Sequence, residues 1–279
     1  RAINEWEGSL SLNKLTFAHT SVPYWLGLPQ QPDASRVLLL LHGISRNARE
    51  MTQAFFLPAT QAGYTVLAPV FEAVNCPDFQ RLGRWGKGPR IDFILQSLLE
   101  RLGSRLQEEV YRVDLFGYSA GAQLAHRFAM ARPQRVRKLA LGAAGWYTMP
   151  TADRYPRGLR LKNELPGVRF VPERFLRIPT RVYVGEEDTA RDKALNTNRR
   201  VDRQQGLNRL QRAETWVRHM NQKANDLRLP ASVELHIMPG VSHSFQQSVE
   251  RYRLTQAIME WLLEQPPVQL SQKAHEVRS

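Results

Sequence analysis

The sequence predicts an α/β protein with a mostly parallel central sheet and helices on both faces. Three observations carry this reading. Residues 36–41 (Arg36-Val37-Leu38-Leu39-Leu40-Leu41) are a near-continuous apolar run, as a strand buried on both faces of a parallel sheet requires. Residues 112–131 read as a short apolar strand, a glycine-bracketed turn and a helix stopped by Pro133. Short strand-like runs then alternate with segments of helical period as far as residue 263.

In chain order, residues 15–28 hold the leading antiparallel strands and 36–41 the first buried strand. Residues 46–62 are helical, with Gly63 as the stop, and 65–69 form the next strand. Residues 71–90 make a long loop carrying Phe71, Phe79, Trp85 and several Gly and Pro. Residues 91–109 are an amphipathic helix, since Ile91, Leu95, Leu98, Leu99, Leu102 and Leu106 recur at helical spacing. The strand at 112–116, the helix at 122–131 and the strand at 136–141 follow. Residues 146–178 interrupt the alternation. They are rich in Tyr, Pro, Arg and Gly, and their place after a strand end is that of a short lid insertion. A strand at 180–185 follows Pro179, and 196–227 is one long charged helix or a helix pair. The strand at 233–238 and a last helix over 254–263, ended by Pro266-Pro267, close a single domain spanning 1–265. Residues 266–279 form a polar tail.

Composition narrows the function classes. A chain of 279 residues can bury a sizeable core, and 42% apolar with 23% charged residues is ordinary for a soluble globular protein. No run reaches the ~18 apolar residues of a membrane span. Cys76 is the single cysteine, which excludes an internal disulfide and a cysteine metal site. No histidine pair at ligand spacing stands out, so neither a metal nor another cofactor is expected. The net charge of +13 comes from 32 arginines and seven lysines scattered along the chain. Without a nucleic-acid motif, this pattern points to solvated basic faces and not to a specific nucleic-acid partner; non-specific polyanion binding at low salt is still allowed. The single cysteine and the lack of a visible leader favour a cytoplasmic location. The start at Arg1 leaves a secreted or periplasmic one open, and the sequence does not set the oligomeric state.

The chemistry-bearing residues lie at strand ends. Gly117-Tyr118-Ser119-Ala120-Gly121 has the form G-x-S-x-G between a strand and a helix, the arrangement of a nucleophile elbow with Ser119 at its apex. Ala120, in the first helical turn, offers a backbone N–H to a developing oxyanion. The strand at 36–41 ends in His42-Gly43-Ile44, which places a second donor at the Ile44 N–H, with Ser45 as the alternative. His42 is expected to hold that loop. After the strand at 180–185 come Glu186, Glu187 and Asp188. The G-x-x-D spacing clears the strand end and selects Asp188, leaving Glu186, Glu187 and Asp192 as a solvated acidic turn. His243 follows the last strand in a Gly-containing loop, whereas its rival His236 lies inside the strand. Of the insertion's aromatics, Trp146 and Tyr147 sit nearest a strand end and are expected to line a substrate pocket.

The order Ser119, Asp188, His243 resembles the catalytic triad of the α/β-hydrolase superfamily over about residues 14–265. Within it, His42-Gly43-Ile44-Ser45-Arg46-Asn47-Ala48, Phe79-Gln80-Arg81-Leu82-Gly83 and Gly142-Ala143-Ala144-Gly145-Trp146-Tyr147 are most similar to polyhydroxyalkanoate-depolymerase-like and feruloyl-esterase-like hydrolases. The resemblance implies an α/β-hydrolase fold and a serine esterase. Such an enzyme would cleave small-molecule carboxylic esters of small or medium size through an acyl-enzyme, with Ile44 and Ala120 as the oxyanion hole. A serine peptidase or acyltransferase would use the same triad, and a non-catalytic binding module could occupy the same fold. The lone Cys76 departs from secreted polymer depolymerases, which usually carry disulfides.

Overall fold

Eight strands build one sheet: β1 (Ser9–Phe17), β2 (Thr20–Leu28), β3 (Val37–Leu41), β4 (Thr65–Pro69), β5 (Val113–Tyr118), β6 (Val136–Gly142), β7 (Thr180–Gly185) and β8 (Val233–Met238). The computed structural model describes residues 8–84 and 86–265. The predicted tail at 266–279, its Pro266-Pro267 stop and Trp85 lie outside the described residues. The strand order is β1-β2-β4-β3-β5-β6-β7-β8. β2 pairs antiparallel with β1 and β4, and every pairing from β4 through β3 to β8 is parallel. The expected mostly parallel sheet is therefore present.

β3 shows why an unbroken apolar run was needed. Val37, Leu39 and Leu41 face one core layer, and Leu38 and Leu40 face the other. The first layer is filled by α2 (Ile91–Leu106), α3 (Ala120–Ala131) and α6 (Arg209–Asp226), through residues such as Leu98, Phe128 and Trp216. The second is filled by α1 (Ala48–Gln61), α7 (Phe245–Tyr252) and α8 (Leu254–Leu263), through Phe55, Phe245 and Ile258. Burying a side chain of this size contributes about 1.5–3 kcal/mol, so a polar residue anywhere in β3 would be costly on either face.

Several boundaries differ from the sequence expectation, each for a local reason. α2 stops at Leu106 because Gln107 turns left-handed (φ 57°) and caps the helix on the Gly103 carbonyl. α3 starts at Ala120 because Ser119 itself is its N-cap. Arg46, expected in the first helix, is left-handed at φ 55° and belongs to the loop before it. The charged segment at 196–227 is a helix pair. α5 (Arg199–Gln205) ends at Gly206, and α6 restarts after Asn208, whose side chain accepts the Gln211 N–H. Arg253 (φ 56°) separates α7 from α8.

The insertion holds little regular structure beyond α4 (Pro172–Phe175) and a bridge between Arg154 and Arg160. It is packed all the same. Tyr147, Met149, Tyr155, Leu165 and Phe175 join the core layer of α3 and α6. Gln205 of α5 clamps Tyr147 at both ends, accepting its N–H at 2.8 Å and donating to its carbonyl at 2.8 Å.

Candidate active site

Ser119 ends β5 with φ 56° and ψ −117°, a conformation that costs a non-glycine residue about 1–3 kcal/mol. The glycines on either side make the turn possible. A Cβ at Gly117 would lie 2.1 Å from the Gly121 carbonyl oxygen, and one at Gly121 would lie 1.9 Å from that of Leu41. Strand, turn and helix are thus pressed together until only hydrogens fit, and the serine is held at the open tip.

Backbone bonds between neighbouring loops extend the sheet past its strand ends. Ser119 N–H donates to the Gly142 carbonyl at 2.7 Å, Ala143 N–H to Tyr183 at 2.8 Å and Glu187 N–H to Val241 at 2.9 Å. Asp188 then turns back, its N–H on the Gly185 carbonyl at 3.1 Å, which is the structural content of the G-x-x-D spacing. The carboxylate is buried and lies 2.8 Å from His243 Nδ1. A carboxylate only accepts, so Nδ1 carries the proton and Nε2 presents its lone pair. Ser119 Oγ stands 3.1 Å from that Nε2. The Tyr118 ring stacks on the imidazole, with centroids 5.7 Å apart. Ser119, His243 and Asp188 are therefore brought together, whereas His236 points to Glu234 at 3.1 Å.

Behind Asp188 lies an element that sequence reasoning missed. Arg209, the first residue of α6, is buried and approaches Asp188 Oδ1 at 3.4 Å. It donates twice to Asp192, at 2.7 and 3.0 Å. Asp192 is exposed, as expected of a solvated acidic turn, but it is ion-paired as well. Its hydrogen bonds to Arg209 hold its carboxyl down to about 2. The one sequence hint is an arginine at a helix N-terminus, where the helix dipole disfavours a cation and an acidic partner is needed.

The loop after β3 comes against the serine. A Cβ on Gly43 would sit 3.4 Å from Ser119 Cβ. Among the described residues, neither the Ile44 nor the Ala120 N–H donates to another backbone group. His42 pins this loop. Phe71 N–H donates to Nε2 at 2.8 Å, so the ring proton is on Nδ1, 2.6 Å from the Gly43 carbonyl. Burial lowers the His42 pKa to about 4 and keeps the ring neutral. Arg46 adds a second pin, donating to the carbonyls of Phe71 and Ile44 at 3.0 Å each.

A cleft of about 330 Å³ opens here, lined by Ser119, His243, Ile44, Ser45, Asn47, Glu50 and Gln246 among others. No residue of 146–178 lines it, which corrects two expectations. The insertion is a packed shoulder and does not lie over Ser119 as a lid. Trp146 and Tyr147 are core residues and not pocket residues: Tyr147 is fully buried and stacks on Trp216 at 4.9 Å, while Trp146 lies under Arg127 at 4.6 Å. Trp216, far along the chain on α6, draws Tyr147 inward.

A family model described as the alpha/beta hydrolase family matches residues 38–253. No curated protein matches the sequence. Among solved structures, poly(aspartic acid) hydrolase-1 from Sphingomonas sp. KT-1 superposes with a TM-score of 0.76 at 22% identity, over 92% of this chain and 99% of that one. LpqC, a poly(3-hydroxybutyrate) depolymerase from Bordetella parapertussis, gives 0.76 at 21% identity, over 94% and 92%. An S-formylglutathione hydrolase from Agrobacterium tumefaciens gives 0.60 at 15% identity, over 94% and 95%. At these identities the likeness is one of fold.

Proposed function

The chain belongs to the alpha/beta hydrolase family, and from that premise we propose that it is a serine hydrolase cleaving small or medium carboxylic esters through an acyl-enzyme. The observation that carries this reading is the unbroken relay from Ser119 Oγ to His243 Nε2 (3.1 Å) and from His243 Nδ1 to the buried Asp188 (2.8 Å). In this mechanism, Ser119 Oγ attacks the ester carbonyl carbon while its proton passes to His243 Nε2. The imidazolium so formed is stabilised by the Asp188 carboxylate, with Arg209 and Asp192 fixing that carboxylate from behind. The carbonyl oxygen, now an anion, is met by the N–H groups of Ile44 and Ala120; one such donor is worth ~10²–10³ in rate. The bond to the alcohol oxygen then breaks, and that oxygen takes the proton from Nε2. Water enters, gives a proton to Nε2 and a hydroxide equivalent to the acyl carbon, and the acid leaves as Ser119 regains its proton.

The open cleft of about 330 Å³ supports a small or medium acyl group. The test is intact-protein mass spectrometry after fluorophosphonate treatment, with peptide mapping and Ser119→Ala as control. One adduct, on Ser119, followed by turnover of p-nitrophenyl esters, is expected. Folded protein that takes no adduct would falsify the proposal.

A further inference from the structure

Away from Ser119, basic side chains gather between the loop at residues 79–84 and the insertion. A cleft of about 340 Å³ opens there, and Arg81, Arg84, Arg154, Tyr155, Lys162 and Glu164 stand on its walls. Four carboxylates belong to this region, and each is already engaged. Asp153 accepts from the Thr151 hydroxyl at 2.8 Å and from Gln204 Nε2 at 2.9 Å. Asp78 holds Arg84 at 2.9 Å. Glu164 holds Arg154 at 2.8 Å and also accepts the Lys162 and Asn163 N–H groups. Asp92 holds Arg90 at 2.9 Å and Arg132 at 2.8 Å.

Three cations are left over. Arg81, Lys162 and Arg127 have no carboxylate partner among the described residues. Arg127 is fully buried behind the wall. Its Nε reaches the Thr148 hydroxyl at 2.9 Å, one terminal nitrogen reaches the Gln80 carbonyl at 2.7 Å, and the other has no partner among the described residues. Arg81 Nε is likewise buried without a partner. Both guanidiniums lie over the Trp146 ring, Arg81 at 5.4 Å and Arg127 at 4.6 Å. The Tyr155 hydroxyl donates to the Arg81 carbonyl at 2.6 Å and fixes that wall. A buried cation without a counter-ion is unfavourable, and two cations sharing one ring leave a positive field that an anion would relieve.

We propose that this second cleft binds an oxyanion, a carboxylate or a phosphate, with Arg81 and Lys162 as its direct donors and Arg127 supplying charge from behind. The guanidinium of Arg81 offers paired donors to two oxygens of such a group, and the exposed Lys162 closes from the other wall as a mobile point charge. The site is independent of the serine chemistry.

The test is isothermal titration calorimetry on the full chain with inorganic phosphate and, separately, succinate, with ionic strength held constant by sodium chloride. Saturable binding of at least one of them is expected, and the one that binds identifies the group. Arg81→Gln/Lys162→Gln should weaken it at least tenfold. Arg101→Gln/Arg105→Gln removes the same charge from a different cleft and should leave it within twofold. If the double variant at the site is unfolded, Lys162→Gln alone should weaken binding about threefold, since its side chain is exposed. Equal loss in both double variants, no change in Lys162→Gln, or no saturable heat with either anion would overturn the proposal.

Discussion

Arg209 and Arg127 are buried to nearly the same degree, yet their surroundings treat the charge in opposite ways. Arg209 stands between Asp188 and Asp192. Burial pulls its pKa down, but those two carboxylates more than offset the effect and leave it raised. Arg127 meets a hydroxyl, a carbonyl and the Trp146 ring, and burial takes its pKa down to about 10. Behind the candidate triad, charge is neutralised and geometry is fixed. Beside the insertion, charge is left over. The lesson is that a buried arginine is informative through its partners: the first reads as a brace for Asp188, the second as half of an ion pair whose other half comes from outside.

Variants can break or sharpen this contrast. The largest effect sets its baseline. Ser119→Ala should lower kcat/KM for p-nitrophenyl esters by about 10⁴-fold or more, with the urea midpoint and both buried arginines unaffected. Next comes Arg209→Met, which leaves Asp188 and Asp192 without their cation. It should cost about 3–5 kcal/mol in urea unfolding. In the folded fraction, kcat for p-nitrophenyl esters should fall with KM little changed, because Asp188 loses the cation that holds its carboxylate. A stability loss with an unchanged kcat would make Arg209 a structural residue only.

A smaller effect tests the loop that carries Ile44. The His42 pKa falls from 6.5 to about 4 on folding, so the unfolded chain binds this proton first as pH drops. Stability from this group is intact above pH 6.5 and is lost progressively down to about 4, by roughly 3 kcal/mol in all. Buried His126, whose pKa is also lowered by burial, adds a loss of the same sign. Urea unfolding at pH 7.5 and 4.5 should therefore show a large acid destabilisation in the wild type. In His42→Asn the difference should shrink by about one proton's worth. The smallest effect completes the comparison. Arg127→Met should cost about 1–2 kcal/mol, since removal of an unneutralised cation offsets part of the loss of its hydrogen bonds to Thr148 and the Gln80 carbonyl. A loss as great as that of Arg209→Met would erase the distinction.

What could be read in the sequence depended on the range of the cause. The elbow was legible because the tight turn needs glycine at 117 and 121 whatever the rest of the chain does. Asp188 and His243 were legible because a strand end and a short loop limit which residue can reach the site. Both faces of β3 were legible in its composition alone. Tyr147 was misread because its direction is set by Trp216 and Gln205, partners supplied by another part of the fold. The ion pair of Asp192 was missed because its counter-ion begins a helix 17 residues later. The boundary at Leu106 was missed because Gln107, not a glycine, takes the left-handed cap.

The spacing of the relay also sets a timetable. Ser119 and His243 are 124 residues apart in the chain. At a synthesis rate of ~5–20 residues per second, about 6–25 s separate the appearance of the serine from that of its base. During that interval the nascent chain carries the elbow without His243, so on the proposed mechanism Ser119 has no proton acceptor. In a synchronised translation reaction, fluorophosphonate labelling should begin only after residue 243 has cleared the ribosome. On the proposed mechanism, reactivity then reports that the elbow, the loop after β7 and the loop after β8 have come together.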